Sequence, residues 1–134
     1  HYMDESYFNN LKNRYPNDIF TGFVSNPTDL MQISDCVVLA TKKETFGLVL
    51  IEAMKCGVCV LGSNSGGPLE IIDDEKTGLL FESMNSDSLC EKLSLIIENE
   101  ELKETLALNG KIKANEFFDS KKQLEEIKNI LEIV

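Results

Sequence analysis

The sequence is short of positive charge. Thirteen Lys and Arg stand against 23 Asp and Glu, for a formal net charge of −10 at pH 7. No basic stripe is present to neutralise a phosphate backbone, which argues against a nucleic-acid partner. Histidine is nearly absent, with His1 the single example. Neither His1 nor the Ser34–Asp35 pair makes a nucleophile–base arrangement. Apolar runs are short as well: none is long enough to span a bilayer, and no signal-peptide pattern is read. Four cysteines, Cys36, Cys56, Cys59 and Cys90, are widely spaced in a chain rich in Lys and Glu. That usage reads as reduced thiols in the cytosol. Cys56-x-x-Cys59 has redox-motif spacing, but such pairs open a helix, whereas this one ends a helix and begins a strand. It reads as two buried thiols. Zinc would need further ligands at close spacing, which Cys36, Cys90 and His1 do not supply, so no metal is expected.

What is present suits one soluble domain over 1–134: 134 residues, 43% hydrophobic and 27% charged, enough for a real core. The acidity is uneven. Residues 1–66 hold five Lys/Arg and seven Asp/Glu, and residues 67–134 hold eight and sixteen. The negative charge thus belongs to the C-terminal helices, where a solvated helical face accounts for it.

Taken in order, residues 4–15 predict an amphipathic helix through Tyr7, Phe8, Leu11 and Tyr15, stopped by Pro16. A short strand follows over 18–24, centred on Ile19, Phe20 and Phe23. Asn26-Pro27 starts a helix with proline at its first position, carrying Leu30, Met31 and Ile33. Residues 36–40 form a continuous apolar run, the mark of a strand covered on both faces. A helix over 47–55 stops at Gly57, a C′ glycine, and 58–61 is the next buried strand. A loop over 62–67 leads to a short helix over 68–72 begun by Pro68, a polar turn at 73–76 and a last strand at 78–81. Helices follow at 86–98 (capped from among Asn85, Ser86 and Asp87), 101–118 and 120–134. Strands alternating with helices imply an α/β fold, a Rossmann-like parallel sheet with flanking helices and a helical C-terminus over about 86–134.

The chain is organised around Thr41-Lys42-Lys43-Glu44-Thr45-Phe46-Gly47-Leu48-Val49-Leu50-Ile51-Glu52-Ala53-Met54. The loop follows the carboxyl end of a strand, where open α/β sheets hold ligands. The helix N-terminus offers unpaired N–H groups and a positive dipole end, suited to a diphosphate. Gly47 has no side chain, so a ligand can come close to the backbone. Two carboxylates bracket this junction. Glu44 and Glu52 have an ordinary reading, a loop carboxylate near a helix start and a water-facing helix residue. The apolar flanks of Glu52 weigh against the second half of it, because a carboxylate buried there needs donors such as sugar hydroxyls. Lys42 and Lys43 read as solvated, and Glu70 as structural.

Glu44, seven residues and Glu52, with Phe46-Gly47-Leu48 between and Glu52-Ala53-Met54 closing, resembles the E-x7-E signature of the retaining glycosyltransferases of family 4. Ser65-Gly66-Gly67-Pro68-Leu69-Glu70 resembles that family's glycine-pair loop, and Thr77-Gly78-Leu79-Leu80-Phe81 its next strand. The similarity runs from about residue 18 onward; Ala40, Thr41 and Cys59 depart from the family's usual Pro, Ser and Pro. The resemblance implies the C-terminal, donor-binding lobe of a GT-B fold. Glu44 would be the catalytic carboxylate and would bond the donor sugar, with Glu52 on the nucleotide ribose. The backbone of Phe46, Gly47, Leu48 and Val49 would meet the diphosphate, with Thr45, Gly66 and Gly67 completing the donor site. The donor would be a nucleoside-diphosphate sugar such as a UDP- or GDP-sugar, with no cofactor or metal. The acceptor would be a glycan or a lipid-linked acceptor, reached through an N-terminal lobe. The family lobe has six parallel strands in order 3-2-1-4-5-6, and residues 18–24 align with the third. Its first two strands and the acceptor lobe would lie before His1, so the resemblance implies a fragment. The strand at 19–23 would pair directly with 37–39, swap into another copy, or belong to a longer chain. An unpaired sheet edge would favour a homo-oligomer. The complete enzyme is expected in the cytoplasm, peripheral at the inner face of the cell membrane, in polysaccharide biosynthesis. A non-catalytic nucleotide-binding or interaction module of the same fold is the competing expectation.

Overall fold

A computed structural model of the chain describes residues 4–119, together with residue 129. Nine elements follow one another: α1 (Glu5–Arg14), α2 (Pro27–Gln32), β1 (Cys36–Leu39), α3 (Leu48–Lys55), β2 (Cys59–Ser63), α4 (Pro68–Ile71), β3 (Leu79–Phe81), α5 (Ser86–Glu98) and α6 (Glu100–Phe117). Among the described residues the sheet has three parallel strands in chain order, β1-β2-β3. Each crossover therefore passes through a helix, as parallel pairing demands.

Local chemistry sets most boundaries. Asp4 caps α1 by accepting from the Ser6 N–H at 2.9 Å. Asn85 Oδ1 accepts from the N–H groups of Asp87 and Ser88 at 3.1 and 3.0 Å, and Asn99 Oδ1 from that of Leu102 at 3.0 Å, so asparagine starts both α5 and α6. α3 ends in a Schellman turn. The Gly57 N–H bonds the Met54 carbonyl at 2.9 Å and the Val58 N–H that of Ala53 at 3.1 Å, with Gly57 at φ +75°.

β2 is buried along its whole length, and alternate residues feed two apolar clusters. Val60 joins Met31, Leu50, Ala53, Met54, Ile71 and Ile72 on one side. Cys59 and Leu61 join Leu79, Phe81, Ile96 and Leu106 on the other. α6 contributes to both, through Ala114 and Leu106. It comes so close to the rest that a Cβ on Gly110 would stand 2.9 Å from the Thr77 carbonyl oxygen and 3.3 Å from Met54 Cγ.

Three expectations are corrected. Residues 18–24 form no strand: they run as irregular chain, with Ile19 90% and Phe23 96% exposed, and β1 pairs only with β2 among the described residues. Apolar side chains alone do not make a strand without a neighbour to accept its ladder. Phe20 instead meets Phe8 edge-on, ring centroids 5.5 Å apart. Secondly, β1 is not covered on both faces; Val38 is exposed and its neighbours are half-buried. Thirdly, α1 and α2 bury far less than their periodicity suggested. α1 has no fully buried residue, and Met31 alone is buried in α2. The helix expected over 120–134 lies outside the described residues.

Candidate functional site

β1 and β2 run the same way, so the loops after them, 40–47 and 64–67, meet at one end of the sheet. Three bonds lock these loops together. Ser63 Oγ, buried at the end of β2, donates to the Thr41 carbonyl at 2.8 Å; Ser65 Oγ donates to that of Lys42 at 3.2 Å; and the Gly67 N–H donates to that of Glu44 at 2.8 Å. The glycine pair is explained by this contact. A Cβ on Gly66 would collide with the Glu44 carbonyl oxygen, and one on Gly67 would stand 2.6 Å from the Phe46 carbonyl carbon. Both glycines thus serve the approach of one loop to the other. Ser63 was not singled out from the sequence, and Ser65 only as the first residue of the glycine-pair motif. The Gly/Ser/Asn richness of the loop was the available signal.

The locked loop delivers the chain to α3 through Gly47, which is buried and left-handed at φ +69°. A side chain there would be strained, and a Cβ would press on Ile71 Cδ1 at 3.2 Å. Because Gly47 is the N-cap, no side chain caps α3. The half-buried Glu44 turns back instead, and its Oε1 accepts from the N–H groups of Phe46 and Gly47 at 3.3 and 3.2 Å. Both distances are at the long end for such bonds. Glu44, Thr45, Phe46, Gly47, Leu48 and Val49 thus surround one helix N-terminus, with Gly66 and Gly67 behind them.

Glu52 is placed otherwise than expected. It is exposed, on the helix stripe Leu48, Glu52, Lys55, while Leu50, Ala53 and Met54 take the buried face. The apolar run around it did not mean burial, because a helix turns each residue about 100° from the last. Glu52 lines a hollow of about 290 Å³ with Leu48, Ile51, Lys55 and Phe118. Lys55 Nζ donates to the Phe118 carbonyl at 2.8 Å, closing one side. Phe46 at 70%, Leu48 at 65% and Leu69 at 53% exposure leave apolar surface bare around the helix start. On the other flank, a hollow of about 220 Å³ lies between Ala40, Thr41, Phe81, Met84 and the start of α5. The Thr41 hydroxyl is buried there with no partner among the described residues. Glu70 is exposed, and so are Lys42 and Lys43. Among the described residues no three His, Cys, Asp or Glu side chains converge to hold a metal ion. No helix there is long and apolar enough to cross a membrane.

A family model, glycosyl transferases group 1, matches residues 10–113. This chain belongs to that family. Similar proteins extend across most of it. N-acetyl-alpha-D-glucosaminyl L-malate synthase of Bacillus anthracis is 33% identical over 122 residues, 90% of this chain and 32% of the relative. The capsular polysaccharide biosynthesis glycosyltransferase CapM of Staphylococcus aureus is 30% identical over 115 residues, 86% of this chain and 30% of the relative. The crystal structure of HepE from Anabaena in complex with UDP superposes with a TM-score of 0.90 at 26% identity, over 97% of this chain and 38% of that one. HepE with UDP-glucose gives 0.87 at 27% identity, over 98% and 38%. The group 1 domain described here therefore has a GT-B glycosyltransferase fold, and it spans about a third of the length of these relatives.

Proposed function

We propose that this group 1 domain is the donor-binding lobe of a retaining family 4 glycosyltransferase, whose complete form moves a sugar from a nucleoside diphosphate to a glycan or lipid acceptor. The observation that carries the reading is the start of α3. A helix without a side-chain cap opens at the carboxyl end of a parallel sheet, with a carboxylate already bonded to the two amides just before it, those of Phe46 and Gly47. Free N–H groups and the helix dipole favour a diphosphate there. They favour it more as the sugar bond breaks and charge grows on the leaving phosphate, which is how such a site would lower the barrier. A diphosphate in this place would compete with Glu44 for Phe46 and Gly47, releasing its carboxylate toward the sugar hydroxyls. Glu52, on the same helix, would reach the ribose. UDP and UDP-glucose in HepE support a nucleotide sugar as donor. No metal or other cofactor enters this scheme. The acceptor would approach from a further lobe, consistent with the bare Phe46, Leu48 and Leu69.

Amide NMR titration of this chain with UDP, GDP and ADP in turn tests the reading. One nucleotide is expected to shift Phe46, Gly47, Leu48, Val49 and Glu52 selectively, which would also name the base. Silence from all three in the folded chain, repeated in the full-length protein, would favour a non-catalytic module of the same fold.

A further inference from the structure

The far end of the sheet holds a second chemical feature, independent of the donor-binding reading. Cys36 opens β1 and Cys59 opens β2, and the strand register sets them directly opposite each other. Both side chains belong to the apolar cluster around Leu61 and Leu79. Cys56 packs in the cluster on the other side of the sheet, so the C-x-x-C spacing does not bring it to Cys59. Paired strands lie about 4.8 Å apart, inside the roughly 4.4–6.8 Å span between Cα atoms that a disulfide bridges.

The pair is not sealed. Cys36 is half-buried and lines a hollow of about 280 Å³ with Asp35, Leu93, Ile97, Glu100 and Lys103. Cys59, itself 1% exposed, lies at the back of another hollow, of about 200 Å³, that Lys103 also lines. The Lys103 ammonium is held there by Asp35 Oδ1 at 3.0 Å and Glu100 Oε2 at 2.9 Å. The Cys36 S–H donates to the Val37 carbonyl at 3.7 Å, and the neighbouring Cys36 thiol, with the Lys103 charge, holds the Cys59 thiol below its ordinary value against the opposing effect of burial. The Cys59 side chain beside it and burial push Cys36 up. Of the two, Cys59 is the readier to lose its proton, which suits it to attack and Cys36 to resolve.

We propose that Cys36 and Cys59 form an oxidation site, at which hydrogen peroxide converts the two thiols into a disulfide across β1 and β2 that thiol reductants reverse. The Cys59 thiolate attacks one peroxide oxygen, forming an S–O bond as the O–O bond breaks, and the departing hydroxide takes a proton to become water. The Cys36 thiol then attacks the sulfenic sulfur. The S–S bond forms, the S–O bond breaks, and the second water leaves with the Cys36 proton. Two thiols lose two protons and two electrons, and one peroxide becomes two waters.

The test treats the chain carrying Cys56→Ser and Cys90→Ser with hydrogen peroxide and follows its intact mass. The expected result is loss of two hydrogen masses, a proteolytic peptide joining Cys36 to Cys59, and recovery of both thiols on adding dithiothreitol. Gain of oxygen with no cross-link, or persistence of both thiols while a free thiol in the same tube oxidises, overturns the proposal. The unmutated chain gives a second reading in case the double variant folds poorly. Its peptide map is expected to join Cys36 to Cys59, and a Cys56–Cys59 or Cys90 link in that place overturns the proposal equally.

Discussion

Glu44 has two roles that a substitution can separate. Its carboxylate holds the Phe46 and Gly47 amides through two long, partly exposed bonds, while its carbonyl holds Gly67. Glu44→Ala removes only the first set. The folded chain is expected to lose less than about 1.5 kcal/mol, the usual scale of such bonds. On the donor-binding reading, turnover of the complete enzyme should fall severely in the same variant. Thermal denaturation and a sugar-transfer assay check the two halves, and near-normal turnover would sink the assignment of Glu44. The residue scale is also where sequence reading did best and worst. The position of Glu44 before a glycine and a helix was legible from spacing alone. The exposure of Glu52 was misread, although Leu48, Glu52 and Lys55 already sat at helical intervals with no apolar partner demanded of them. The facing of Cys36 and Cys59 needed the strand register, which no local pattern carries.

At the scale of elements, caps and breakers did most of the work. Pro27, Pro68, Asn85 and Gly57 each placed a helix boundary within a residue or so, because each acts on the backbone beside it. The residues 18–24 failed for the opposite reason: a strand is a property of two segments, and its partner is not written in its own side chains. The Schellman turn after α3 gives a direct test. Gly57 has room for a Cβ, with Lys111 Cδ at 3.5 Å, so Gly57→Ala tests the left-handed backbone and not packing. It should cost about 1–2 kcal/mol, read as a lower denaturation midpoint with an unchanged denaturant slope. A neutral result would mean that the turn is not left-handed in solution.

On the scale of the whole molecule, charge and bare apolar surface are segregated. The acidic residues gather in the C-terminal half. Ile19, Phe23 and Ile33 stand 81% or more exposed in the first third of the chain, and β1 has a free edge among the described residues. Exposed edges invite pairing with another chain. The chain by itself is expected to associate as its concentration rises, and Val38→Lys on β1 is expected to weaken that association. Sedimentation velocity over a concentration series measures both, and a chain that stays monomeric throughout would remove the free edge as a contact surface.

The weld between the two loops bears on how variation at this site would be interpreted. Gly66 and Gly67 press on the backbone of Glu44 and Phe46. Any larger residue there pushes the first loop, and the helix start with it, out of place. A survey of variants scored on activity alone would rank both glycines beside residues that touch substrate. The same survey scored on the amount of folded protein would move them to the scaffold, because the two loops form a single rigid plate. Loops joined in this way are expected to move together, and not one over the other like a lid.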